Sequence, residues 1–119
     1  MNKKCAVYKT TDLIGKKWTL LILLELYKGK AKIKRYSEVK NSILDITPKI
    51  LSTRLKELEK SGLINKKIDA REHPIKCLYS LTKQGKEFIK IIKDIKEWAL
   101  KWRSGNETCG IQDCKDCKF

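Results

Sequence analysis

The chain has 119 residues, enough for one domain with its own core and too few for two of ordinary size. Lysine and arginine total 28 against 14 acidic residues, and a net charge of +14 repels itself unless a polyanion is the natural partner, nucleic acid first and an anionic membrane surface second. One histidine, with no paired-carboxylate or cysteine–histidine arrangement, argues against an enzyme, and five cysteines argue against a disulfide framework.

No long apolar run follows the charged segment Met1-Asn2-Lys3-Lys4-Cys5, so the expectation is a cytoplasmic protein with no membrane partner. Residues 7–14 read as a short helix interrupted by Gly15. Residues 18–27 are apolar nearly all round, which places a second helix in the middle of the core, Trp18 included, until Gly29 ends it. Residues 31–34 read as extended, 36–41 as a two-turn helix with Tyr36 and Val39 inward, and 42–46 as a turn.

Thr47-Pro48 is a strong helix start, because the hydroxyl can cap a free N–H and proline at the first position gives up only an orphan donor. This helix runs to Ser61 and stops at Gly62. Leu51, Leu55 and Leu58 fall at i, i+4 and i+7 as a core stripe, leaving Lys49, Thr53, Lys56 and Lys60 on the opposite face. Residues 63–68 and 75–81 alternate around turn formers at 69–74, which predicts a β-hairpin carrying Lys66, Lys67, Arg71 and Lys76. His73 before Pro74 belongs to its loop, and Cys77 reads as a packing residue. Residues 83–103 form a long amphipathic helix with Phe88, Ile92, Ile95, Ala99 and Trp102 in one stripe and Ile91 and Trp98 beside it.

Helix, helix, turn, capped helix, hairpin is the order of a winged helix-turn-helix. The expected class is therefore mainly α with a small β-hairpin (α+β), a domain over 1–104 with a C-terminal dimerisation helix, and a cysteine-containing tail over 105–119. A helix entering a major groove about 12 Å wide needs donors for base edges and cations for phosphates on its outer face. Lys49, Ser52, Thr53 and Lys56 supply them, Thr47, Lys49 and the turn before them fix the register with Pro48 beside them at the DNA, and Arg54 with Lys66, Lys67, Arg71 and Lys76 would grip the phosphates of double-stranded DNA. Phe88, Ile91, Ile92, Ile95, Trp98 and Trp102 make more apolar surface than a monomer readily covers, which favours a homodimer over a purely internal role.

The chain resembles the HxlR-type regulators, a winged-helix group related to MarR repressors. The likeness rests on Cys5, Leu13-Ile14-Gly15-Lys16-Lys17-Trp18-Thr19-Leu20-Leu21-Ile22-Leu23, Arg35-Tyr36-Ser37-Glu38-Val39, Ile46-Thr47-Pro48-Lys49-Ile50-Leu51, the run from Leu55 to Ile64, and Tyr79-Ser80-Leu81-Thr82-Lys83-Gln84-Gly85. It implies a homodimeric transcriptional regulator, repressor or activator, whose two recognition helices meet a near-palindromic operator about one DNA turn apart. Several members sense oxidants through a cysteine just ahead of the first helix, which implies Cys5 as a redox candidate. The family's usual Cys-Pro is Cys5-Ala6 here, and its Gly-Gly before Lys-Trp is Gly15-Lys16.

Cys109, Cys114 and Cys117 have spacings that let one loop wrap a soft metal, so zinc or an iron–sulfur cluster is one expectation for the tail; a disulfide or free thiols are the others, and no cofactor is required elsewhere. The competing function is a zinc or iron–sulfur redox-sensing protein centred on that tail. A non-specific architectural DNA or RNA binder is a third reading that charge alone leaves open.

Overall fold

The computed structural model describes residues 1–71, 73–103 and 110–117. Among them run α1 (Ala6–Ile14), α2 (Lys17–Tyr27), β1 (Lys34–Arg35), α3 (Tyr36–Ser42), α4 (Pro48–Lys60), β2 (Ile64–Asp69), β3 (Lys76–Leu81) and α5 (Lys83–Trp102), with a 3₁₀ turn at Cys114–Asp116. No helix among them is long and apolar enough to cross a membrane.

The apolar run in α2 makes it the hub of the fold, touching α1, α3, α4, α5 and β3. Thr19, Ile22 and Leu23 are wholly buried there, and each large aliphatic side chain so placed contributes roughly 1.5–3 kcal/mol. The helix is not enclosed all round, however. Leu21 is 42% exposed, and Trp18 is only half-buried, with the Lys17 ammonium 4.5 Å from its ring centre.

The end of α2 is closed from a distance. The Lys34 ammonium donates to the backbone carbonyls of Glu25 and Lys28, the latter at 2.6 Å, and lies 4.0 Å from the Glu25 carboxylate. A cation there satisfies orphan carbonyls and opposes the negative end of the helix dipole. Burial draws its pKa below the ordinary lysine value, against the opposing pull of Glu25 and Glu38.

The predicted hairpin is part of a three-stranded antiparallel sheet in the order β1-β3-β2. Register runs from Ile64 opposite Leu81 to Asp69 opposite Lys76, while Lys34 and Arg35 face Tyr79 and Leu78. β1 has two residues, too few for alternation to declare a strand in the sequence. Tyr79 is 5% exposed at the centre, and burial raises its phenol to about 12. Cys77 is half-buried against the core, as a packing residue should be.

A small hydrogen-bond cluster locks the sheet to α5. Thr82 Oγ1 donates to the Gly62 carbonyl (2.6 Å) and accepts from Gly85 N–H (3.1 Å), so one hydroxyl both caps α5 and holds the turn after α4. Thr82 N–H also donates to the Leu63 carbonyl at 3.1 Å. Gly62 itself sits at φ +82°, the left-handed conformation that ends α4.

The stripe predicted on α5 divides in two. Ile92 (7% exposed) joins Ile89 (3%), a residue outside the predicted stripe, in the core of the chain, and Phe88 packs at its edge. Ile91, Ile95, Trp98 and Trp102 are 45–66% exposed. Ile92 is thus a core residue and not a free interface residue, because the helix turns its 89–92 side toward the core and its 91–95–98–102 side away.

Residues 110–117 pack back onto α2 and α5. Gly29 N–H donates to the Lys115 carbonyl (2.7 Å), and Lys96 Nζ donates to the Gln112 carbonyl (2.6 Å). Lys93 Nζ donates to Asp113 Oδ2 and to the Tyr27 hydroxyl, both at 2.8 Å. Cys114 is buried beneath these contacts.

Candidate nucleic-acid interface

The site is built on α4. Thr47 Oγ1 accepts from Ile50 N–H at 3.2 Å and Pro48 occupies the first turn, as the sequence predicts. Leu51, Leu55 and Leu58 are all within 2% of full burial, which fixes the rotation of the helix about its axis. Lys49, Thr53, Lys56 and Lys60 therefore face outward and are exposed.

The turn ahead of α4 is set by three residues. Val39 is wholly buried, Ile46 is 3% exposed, and Asp45 between them takes φ +68°, a conformation that Asp tolerates better than most side chains. Tyr36 then joins the two helices of the motif. Its hydroxyl donates to the Pro48 carbonyl (3.1 Å) and lies 3.3 Å from Ser52 Oγ. The sequence places Tyr36 inward, and the need of a buried phenol for a polar partner is the signal that points to this role.

Two residues expected at the DNA surface are held by the protein. Ser52 is half-buried beside Tyr36, so its hydroxyl proton serves the α3–α4 joint. Arg54 turns back to Glu57 (3.4 Å), whose carboxylate also accepts from Lys16 of the segment before α2 (3.0 Å). That pairing leaves the Arg54 side chain 22% exposed, so it grips α4 against α2 rather than pointing outward. Glu57 is the residue that spacing could not flag, because its role depends on a partner 41 positions away. Thr53 Oγ1 donates to the Lys49 carbonyl (2.9 Å), leaving its lone pairs outward.

The hairpin extends the basic surface. Lys66 and Lys67 are exposed on β2, and Arg71 folds over Asp69 through Nε (3.1 Å) and Nη2 (3.2 Å). Those bonds hold the Asp69 carboxyl below its ordinary value and raise the guanidinium's. Arg71 still shows 87% of its side chain to solvent, so the tie shapes the loop without hiding the charge. Lys76 lies opposite Asp69 at the base of the same loop, half-exposed, and His73 is exposed within it.

A helix capped by Thr-Pro, backed by leucines and bearing lysines outward, followed by a basic hairpin, is the reading apparatus of a winged helix-turn-helix. The model of the HxlR-like helix-turn-helix family matches residues 13–107. The chain belongs to that family. It is a transcriptional regulator of helix-turn-helix type, not an enzyme. It is 35% identical over 94 residues to the uncharacterized regulator YvaP of Bacillus subtilis, covering 79% of this chain and 83% of that protein. A MarR-family regulator of Porphyromonas gingivalis superposes with TM-score 0.75 at 35% identity, covering 86% of this chain and 96% of the other. The redox regulator HypR in its oxidized form superposes with TM-score 0.72 at 32% identity, covering 85% of this chain and all of that one.

Cys5 is half-exposed at the N-cap of α1, its carbonyl accepting from Lys9 N–H (3.1 Å). In the tail, Cys109 lies outside the described residues; Cys114 and Cys117 flank one 3₁₀ turn, with Cys117 half-buried. Among the described residues no three cysteine, histidine or carboxylate side chains converge as a metal site would need.

Proposed function

We propose that this protein is a sequence-specific regulator that binds double-stranded DNA as a homodimer, with α4 in the major groove and the β2–β3 hairpin against the flanking phosphates. The observation that carries this reading is the uncovered face of α4: Lys49, Thr53 and Lys56 are exposed directly behind a fully buried leucine stripe. Such a face can offer donors to base edges without unfolding anything. Thr47 and Pro48, at the helix start where free N–H groups gather, suit a phosphate.

The homodimer reading is supported by α5, whose side bearing Ile91, Ile95, Trp98 and Trp102 is left exposed by the described residues. A second copy laid along it would bury that surface and pair two recognition helices. Cys5 is the proposed redox point, supported by its accessibility and by the likeness to HypR, a redox regulator. A hydroperoxide would convert its thiol to a sulfenic acid, the second oxygen leaving as the alcohol or water.

The test is a competition, by fluorescence anisotropy, between a duplex selected by the protein from a random pool and unselected duplex. Specific binding should win by about 10³-fold or more. With roughly 6–10 phosphate contacts its affinity should fall by about 10³–10⁵ between about 50 and 200 mM salt. Equal competition, or a flat salt response, would overturn the reading.

A further inference from the structure

The corner between α1 and α2 reaches α4 through one side chain. Gly15 N–H donates to the Thr11 carbonyl (2.9 Å), and a Cβ on Gly15 would lie 2.5 Å from that oxygen, so a side chain there would force the corner open. Lys16 follows as the N-cap of α2, its carbonyl accepting from the N–H of the wholly buried Thr19 (3.2 Å). Its backbone is thus held from both sides, and its ammonium donates across to Glu57 Oε1 on α4 at 3.0 Å. Lys16 stands where the HxlR-type chains usually carry the second of two glycines, so this reach belongs to the present sequence.

Glu57 is where two cations meet. The same Oε1 lies 3.4 Å from Arg54 Nη1, and among the described residues Glu57 Oε2 and Arg54 Nε are buried without a hydrogen-bond partner. A carboxylate partly withdrawn from water depends on its cations, and their contacts are directional. The leucine stripe of α4 is not: apolar burial decides which face turns inward and leaves slide and tilt to polar contacts. Tyr36 pins the start of the helix through Pro48 and Ser52. Glu57 lies about 13 Å further along than Pro48, at roughly 1.5 Å per residue, and Lys16 pins it there. Two pins that far apart set the direction of a rod, whereas one leaves it a pivot.

We infer that Lys16 is a positioning residue for DNA reading: through Glu57 it holds the far end of α4 so that Lys49, Thr53 and Lys56 meet base edges in register. The inference rests on α4 being the helix that enters the groove. An ion pair this exposed, with 40% and 30% of the two side chains open to solvent, adds little to stability. Its loss acts on orientation instead. Base contacts are short and angle-dependent and weaken when the helix tilts, while phosphate contacts follow charge and persist.

The test titrates the full chain against a selected duplex and against random duplex, by fluorescence anisotropy across a series of salt concentrations. Lys16→Ala should weaken binding of the selected duplex about threefold, the scale of an exposed ion pair, and leave binding of random duplex within about 1.5-fold. Its salt slope should match the parent's, since a lysine that met phosphate itself would take about one unit of slope with it. Lys16→Arg, still able to reach Glu57, should restore the parent's discrimination. In a Glu57→Met background, where the acceptor is gone, Lys16→Ala should cost nothing further. Lys90→Ala, which removes an exposed charge on α5, should match the parent. No loss, equal loss on both duplexes, a slope reduced by about one, no rescue by arginine, a loss that persists beside Glu57→Met, or a matching loss in Lys90→Ala would each overturn the proposal. A parent that does not prefer the selected duplex would instead overturn the reading of α4 on which it rests. Circular dichroism and denaturation midpoints matched to the parent establish that the losses are not unfolding.

Discussion

Gly85 has no room for a side chain: a Cβ placed on it would lie 2.2 Å from the Leu63 carbonyl oxygen and 3.2 Å from a Leu81 methyl. The close approach is what lets Thr82 bond both Gly62 and Gly85, so one missing carbon lets α5 meet the turn after α4. Gly85→Ala should cost about 1–3 kcal/mol in chemical denaturation, as other insertions into closed packing do. Gly110→Ala, where the added carbon meets nothing within 4 Å, should stay within about 0.5 kcal/mol. Equal stability of the two variants would contradict the packing described for Gly85. Arg54 makes the complementary point about charge. Its guanidinium is committed to Glu57, so a basic residue on the expected helix contributes to folding and not to the outer face.

At the scale of elements, α4 was legible because three independent signals frame one thirteen-residue helix: the Thr47-Pro48 start, the leucine spacing, and the glycine that follows. Ser52 and Arg54 were not, since both flank the stripe, where spacing cannot tell an outward side chain from one that finds a polar partner inside. α5 was legible as an amphipathic helix but not in its division. Apolar residues at 88, 89, 91, 92, 95, 98 and 102 cover more than one face, and only the position of α2 decides that Ile89 and Ile92 turn inward. The docking of residues 110–117 left no apolar trace, because ion pairs and backbone bonds do most of the holding. Lys93, helped by the Lys115 N–H, holds the Asp113 carboxyl down to about 2. A folded value below the ordinary 3.8 means that this contact is intact above the ordinary value and is lost as pH falls toward about 2. The Gly29 amide, bonded to Lys115, should therefore shift and lose protection in NMR across that interval while the α4 amides hold. A Gly29 amide unchanged to pH 2, or one already lost well above the ordinary carboxylate range, would contradict the tie.

The whole molecule has a radius of gyration of 15.3 Å, above the roughly 13.5 Å of a compact chain this long. The excess agrees with a twenty-residue α5 whose outer side carries two tryptophans and two isoleucines in the open. Sedimentation equilibrium should give twice the 13.9 kDa chain mass, and Ile95→Glu with Trp98→Glu should give the chain mass with helix content retained. A monomeric parent, or a variant still dimeric, would contradict a partner on that side. DNA affinity should fall when dimerisation is lost, since each copy offers one α4.

The most direct test of the central claim is the affinity of Lys49→Ala with Lys56→Ala for a selected duplex, measured against the parent across one series of salt concentrations. Both ammonium groups are exposed and carry no packing, so the variant should keep the parent's denaturation midpoint. It should lose at least about tenfold in affinity and show a salt slope reduced by about one per lost phosphate contact. An unchanged affinity with an unchanged slope would mean that the outward face of α4 does not meet the DNA.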